Sequence, residues 1–352
     1  MKKIKLTALG NKKVTCSEQD AMQNKKFLFI LGMPRSGTKL IRNILNGSDD
    51  IYIPDVETEM LDSWYSRYKN KTFEVFDEFN AFYQYTISMS FFSHQRNRGR
   101  KVITVDEWYK LSAPTYDLEA IFRALIMFDL SLANDLNCNP IYLGDKSPSY
   151  INSVDAINSV FSTEFDIILI IRDPRDYCLS SKKAWGKNIY RSAQRWHDSM
   201  AKCNASLKRH RGRVCKISFE ELTSQPAKVV QSLCLFLGID YCESMLEFST
   251  SPENIGDAKG SLTVINNSNK WCGEFTNKEI KKIEKICGNL MVENGYKTSF
   301  YNGKGYRIPK VMMFYYKIFD GINLIFKRST NVRTAYASFL YNVKYAIQRS
   351  LR

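Results

Sequence analysis

A continuous apolar run, Phe27-Leu-Phe-Ile-Leu31, is followed at once by Gly32-Met-Pro-Arg-Ser-Gly-Thr38 and then by Leu40, Ile41, Ile44 and Leu45. The run has the length of a buried strand, and the residues after the loop recur at helical spacing. Strand, glycine-bounded loop and helix in that order make the βα half of a nucleotide-binding unit. Backbone N–H groups of such a turn converge with a helix N-terminus on one point, and Ser36 and Thr38 add hydroxyl donors. The loop is therefore a candidate anion cradle. Its glycines are spaced as in a P-loop, but Gly37-Thr38-Lys39 departs from the Gly-Lys-[Ser/Thr] order that sets a lysine on terminal phosphates and a hydroxyl on Mg²⁺. The cation inside the loop is Arg35.

Further along, the same alternation recurs. Ile51-Tyr-Ile53 predicts a short strand ended by Pro54, and residues 61 to 137 carry helical periodicity with eleven aromatics between Trp64 and Phe92. Core packing is the plain expectation for these aromatics; the sharper one is that Trp64, Tyr65, Tyr68, Phe82, Tyr83 and Tyr85 face a substrate. Ile141-Tyr-Leu143 predicts a strand, Val154 to Phe161 a helix, and Asp166 to Ile171 a fully buried strand. Unbroken branched runs of this kind suit a parallel sheet covered on both faces. A helix is expected from about Asp176, a strand over Val214 to Phe219, and a helix through Val229, Val230, Leu233, Phe236 and Leu237 ended by Gly238. Thr276 and Glu279 form a capping box for one more helix. The expected fold class is α/β, an open parallel sheet flanked by helices over residues 25–302, after a flexible tail at 1–24.

A second constellation lies after the most buried strand, in Ile171-Arg-Asp-Pro-Arg-Asp-Tyr-Cys-Leu-Ser-Ser181. Arg172 sits where the strand leaves the sheet, and Ser180 follows eight positions on, about two helical turns along. Ligands of open α/β sheets bind outside the carboxyl ends of strands, so both residues are candidates to grip a second phosphate, the guanidinium with two prongs.

Composition sets the class of partner. The chain has 352 residues, 44% of them hydrophobic, and 51 Lys+Arg against 36 Asp+Glu give +15. That excess suits nucleic acid, a membrane surface or an anionic small molecule, and its position discriminates. Residues 303–352 hold ten Lys/Arg and one Asp, a net +9, so the other 302 residues carry only +6. This basic, aromatic-rich extension is expected to be helical and too interrupted by Lys317 and Asp320 to span a bilayer. Peripheral membrane contact is one expectation for it; packing on the domain or on a second subunit, as a homodimer, is the other. No recognised nucleic-acid motif occurs, so a nucleic-acid partner is not expected. Nine cysteines without a C-x-x-C pair suit a reduced, cytoplasmic chain. The start, Met1 to Lys26, lacks the apolar run of a signal peptide. No metal is expected, because His94, His197 and His210 are not spaced for shared ligation.

Together these residues resemble the sulfotransferases that use 3′-phosphoadenosine 5′-phosphosulfate (PAPS), in the branch of tyrosylprotein and bacterial carbohydrate sulfotransferases. Pro34 to Thr38 is similar to the family's 5′-phosphosulfate loop, and Arg172 with Ser180 to its 3′-phosphate motif. Gly144-Asp-Lys-Ser-Pro-Ser-Tyr150 resembles its [EDN]-K-x-P segment, and Val214 to Leu222 with Phe236-Leu-Gly238 its late strand and helix. Asn266 to Trp271 is loosely similar to its nucleotide-covering loop. The similarity covers about residues 25 to 296. It implies a P-loop-like sulfotransferase fold, with PAPS as donor and PAP (3′-phosphoadenosine 5′-phosphate) as product. It assigns Arg35, Ser36, Gly37, Thr38 and Lys39 to the 5′ end and Arg172 and Ser180 to the 3′-phosphate. Arg35 and Lys146 would neutralise charge on the phosphosulfate bridge, and Glu57, in a Glu-Thr step after the second strand, would be the general base; Asp55 and Glu59 are the alternatives. The acceptor implied is a hydroxyl or amine, with a carbohydrate or glycolipid preferred. A P-loop-type kinase is the enzymatic alternative, and a basic membrane- or nucleic-acid-binding protein the non-enzymatic one.

Overall fold

In the computed structural model, residues 25–133, 139–251 and 259–328 are described. The tail expected at 1–24 and the end of the extension, 329–352, lie outside the described residues. Strand β1, Lys26–Gly32, is buried from Phe27 onward. Alternate side chains point to opposite faces of a strand. Phe27, Phe29 and Leu31 thus join one core, with Phe122, Phe161 and Phe165, while Leu28 and Ile30 join another, with Ile41, Ile44 and Ile170. Burial on both faces is why the run reads as continuous rather than alternating.

Four further strands, β2 (Ile51–Tyr52), β3 (Tyr142–Asp145), β4 (Phe165–Ile171) and β5 (Val214–Ser218), complete one parallel sheet in the order β2-β3-β1-β4-β5. The register pairs Phe29 with Asp145 and Gly32 with Ile170. The carboxyl ends of β3, β1 and β4 therefore lie side by side, and the residues that follow them (Lys146, the 33–37 loop and Arg172) emerge on one edge. After β1 the chain enters the helix Thr38–Leu45, whose apolar side packs on the Leu28 and Ile30 face. After β4 it enters Pro174–Trp185 and Ile189–Leu207, which pack on the Phe29 face. Helices leaving neighbouring strands toward opposite faces open a crevice between β1 and β4, where sheets of this kind bind ligands.

Element boundaries shift from expectation for local reasons. Ile141 is exposed, so β3 starts at Tyr142 and runs to Asp145, making Lys146 the first residue beyond the strand. The helix expected from Asp176 begins at Pro174, because the Asp173 carboxylate accepts from the Arg175 N–H at 2.8 Å and proline suits the first helical position. Strand β5 stops at Ser218, which caps the helix Phe219–Ser224. The Thr276–Glu279 capping box starts the helix Asn277–Glu293, as expected.

The helices Leu61–Tyr68, Phe76–Thr86, Ser90–Asn97, Val105–Leu111 and Leu118–Leu132 form the layer that holds the aromatics. Trp64 and Phe82 are fully enclosed, their rings 5.0 Å apart, and Tyr65, Tyr68, Tyr83 and Tyr85 pack against the same core. The expectation that Trp64 and Phe82 stack on a substrate is thereby corrected. Each gains more from edge-to-face contacts with several other rings than a cleft position offers.

Candidate active site

The loop after β1 takes two left-handed residues, Arg35 at φ 73° and Gly37 at φ 89°, on either side of Ser36. Such alternation turns successive N–H groups inward as an anion nest. No side chain caps the helix Thr38–Leu45 that Gly37 begins, so an anion can take the part of the cap. A Cβ at Gly37 would lie 2.6 Å from the Phe219 ring, on top of the strain of its positive φ. Gly37→Ala is expected to cost about 1–3 kcal/mol of stability and to lower nucleotide affinity with it; thermal unfolding and calorimetry would check both.

Arg172 leaves the end of β4 and is 6% exposed. It donates to the Arg35 carbonyl at 2.8 Å and to the Asn267 carbonyl at 2.9 Å, and its guanidinium stacks 4.2 Å from the Phe219 ring centre. Arg35 in turn donates from Nε to the Ser180 hydroxyl at 3.3 Å. The fold thus brings Arg35, Arg172 and Ser180 together across β1 and β4. Two polar atoms here are buried without a hydrogen-bond partner, Arg172 Nε and Ser36 Oγ. Leaving such atoms unpaired is costly, and both are donors suited to phosphate oxygens.

Sequence reasoning assigned no role to Asp176, yet it fastens the late loop over this spot. Its carboxylate accepts from the N–H groups of Asn269 at 2.6 Å and Trp271 at 3.0 Å. Trp271 lies on the Arg175 guanidinium at 3.8 Å, which is itself paired to Asp173 and Glu284. Burial pushes the Asp176 carboxyl up, while Arg172 beside it pulls it down.

On the other side of β1, Lys146 is 1% exposed and donates to the Glu57 carboxylate. Burial pushes the Lys146 ammonium down; Glu57 opposes this, and Arg42 and Lys39 nearby add to it. The three acidic candidates differ in their partners. Asp55 is held by Arg98 and by Arg100, the latter at 2.7 and 3.0 Å, away from Lys146. Glu59 takes a left-handed backbone, φ 51°, and donates its N–H to Ser147. Glu57 is the one bonded to Lys146.

Beneath Glu57 lies a buried chain that sequence reasoning missed. The N–H groups of Met60 and Leu61 donate to the Tyr150 hydroxyl at 3.0 and 3.2 Å. Both its lone pairs being used, that hydroxyl donates to Thr58 Oγ1 at 2.8 Å, and Thr58 donates to Asp145 at 2.6 Å. The chain ties the segment carrying Glu57 to the end of β3. Burial first, with the Glu57 charge adding, pushes the Asp145 carboxyl from 3.8 to about 6. The folded protein therefore keeps this proton where the unfolded chain has lost it, and stability falls as pH rises from about 4 to 6. Asp145→Asn should remove that component, of the order of 2–3 kcal/mol, which unfolding at pH 4 and 7 would read as a flatter pH dependence than the unaltered protein's.

Among the described residues, no group of three or more His, Cys, Asp or Glu is arranged to hold a metal ion. Hydrogen-bond donors gather in two places, at the 33–38 loop and at Arg172.

Residues 28–243 match the model of the sulfotransferase family. That span carries Arg35, Glu57, Lys146, Arg172 and Ser180. Solved structures similar to this chain include a sulfotransferase domain from the curacin biosynthetic pathway, at 18% identity and TM-score 0.45, covering 78% of this chain and 99% of that one. The sulfotransferase domain of a Synechococcus olefin synthase matches at 22% identity and TM-score 0.44, covering 74% and 94%. A mouse sulfotransferase complexed with PAP matches at 12% and TM-score 0.32, covering 86% and 93%. No curated protein matches the chain. With the family model spanning well over half of its length, the chain belongs to the sulfotransferase family and is a sulfotransferase enzyme.

Proposed function

We propose that this sulfotransferase moves the sulfuryl group of PAPS to a hydroxyl or amine, with a carbohydrate or glycolipid as the preferred acceptor and Glu57 as general base. The observation that carries the reading is the Glu57–Lys146 pair beside the loop cradle, with Arg35 bridging to Ser180 and lying under Arg172. The unpartnered Arg172 Nε and Ser36 Oγ support a ligand with two separate phosphates. PAPS supplies an activated sulfuryl group on a phosphate leaving group. The loop N–H groups with Ser36, Thr38 and Lys39 hold its 5′ end, and Arg172 with Ser180 its 3′-phosphate. Arg35 and Lys146 present fixed positive charge where negative charge grows, at no cost of reorganisation. Glu57 takes the acceptor's proton, and Lys146 holds the carboxylate in place for it.

The described cysteines are all free thiols, which supports a reducing, cytoplasmic setting. The test is turnover of radiolabelled PAPS with a panel of oligosaccharide, glycolipid and phenolic acceptors. Label transfer to a sugar is the expected result. Transfer from ATP and Mg²⁺ but not from PAPS would overturn the reading in favour of a kinase.

A further inference from the structure

Over residues 310–323 the helix Lys310–Arg328 packs on the rest of the protein along one side. Ile308, just before it, is buried, and Met313 and Tyr316 pack against the aromatic core. Asp320 is buried too, accepting from the Asn188 N–H at 2.7 Å and from the Arg191 guanidinium. Asn323 donates to the Gly186 carbonyl at 3.1 Å. The opposite side presents Val311 (79% exposed), Phe314 (64%), Tyr315, Ile318, Phe319 and Ile322. Their spacing of three and four makes one apolar stripe. Lys310 and Lys317 are exposed on the same helix.

Asp320 is the single acid of residues 303–352, against ten Lys/Arg. Because it is turned inward onto Arg191, the large side chains that residues 303–322 expose are apolar or cationic, with no acid among them. Large exposed apolar side chains beside basic ones, on a helix, fit the interfacial plane of a bilayer. No helix of the described residues is long and apolar enough to cross a membrane. We infer that this face docks onto a bilayer surface rich in anionic lipid, its stripe at the level of the acyl boundary and its cations among the headgroups. A second copy of the chain fits the face less well. A twofold contact sets the same patch against itself, and two cationic segments would meet with the one acid of each turned inward onto Arg191.

Co-sedimentation of the full chain with vesicles tests this. Binding to phosphatidylcholine vesicles holding about 30% phosphatidylglycerol should exceed binding to pure phosphatidylcholine by roughly tenfold and weaken in high salt. Phe314→Glu/Ile318→Glu should lose most of the binding, roughly tenfold, with PAP affinity by calorimetry unchanged as the sign of an intact fold. Equal absence of binding to both vesicles, or full binding by the double variant, overturns the inference. So does a dimer in light scattering that the double variant breaks while no vesicle binding occurs, since the face then belongs to a second copy.

Discussion

Arg172→Ala is expected to weaken PAP binding by about a hundredfold or more in calorimetry. A guanidinium on a phosphate makes two charge-assisted hydrogen bonds, each worth about 1.5–3 kcal/mol, and about 1.4 kcal/mol is a factor of ten. The residue also braces the protein: its two terminal nitrogens hold the carbonyls of Arg35 and Asn267, and Phe219 supports its plane. Alanine therefore loosens the 33–38 loop and the late loop together, and a bare loss of affinity does not separate grip from bracing. Comparison with adenosine 5′-monophosphate, which lacks the 3′-phosphate, does. The unaltered enzyme should prefer PAP strongly, and the variant's preference should collapse to within about threefold, since the lost energy belongs to the 3′ group. If both nucleotides lose affinity equally, Arg172 is a brace and the 3′-phosphate assignment fails. Arg172→Lys should fall between the two, keeping the charge but not the fork.

Arg35, Lys146 and Arg172, candidates legible in the sequence, share one property, their place just after a buried parallel strand. The runs Phe27–Leu31 and Ile167–Ile171 are apolar without a break because both faces of β1 and β4 are covered, so the strand ends, and with them the 33–38 loop and Arg172, stand out. Side-chain partners across the fold left no such trace. Thr58 meets Asp145 and Tyr150 at separations of 87 and 92 residues, and Phe219 reaches under Arg172 from beyond β5. Periodicity names the element a residue belongs to, not the residue it meets. Asp176 illustrates the gap: it stands inside the run that drew attention to Arg172, yet its task depends on a loop more than ninety residues later. For the aromatics the plain expectation of core packing holds, and only the sharper one fails, at Trp64 and Phe82. Trp64 and Phe82 carry the composition of a stacking platform, and only burial shows that they face the core.

Glu57→Gln should lower kcat by about two to four orders of magnitude, the usual worth of a positioned general base, while PAP affinity stays within about twofold. Gln is nearly isosteric and keeps an oxygen to accept from Lys146, so the pair's geometry survives and only charge and basicity are removed. The kinetic pattern identifies the role. A group acting in the transition state lowers kcat and kcat/KM together, whereas one that only positions the donor raises its KM. A second readout comes from Lys146. Burial already pushes this ammonium down, and Glu57 is the neighbour that holds it up. Without the carboxylate, Lys146 loses its proton at lower pH, so the alkaline fall in PAP binding should move to lower pH in the variant. Asp55→Asn provides the contrast. Asp55 is held by Arg98 and Arg100 rather than by Lys146, so its loss should cost some stability at that edge and leave the alkaline limb where it was. A Glu57→Gln enzyme with kcat within threefold of the unaltered one would move the base elsewhere, and Glu59, two residues on in the same turn, would be next to change.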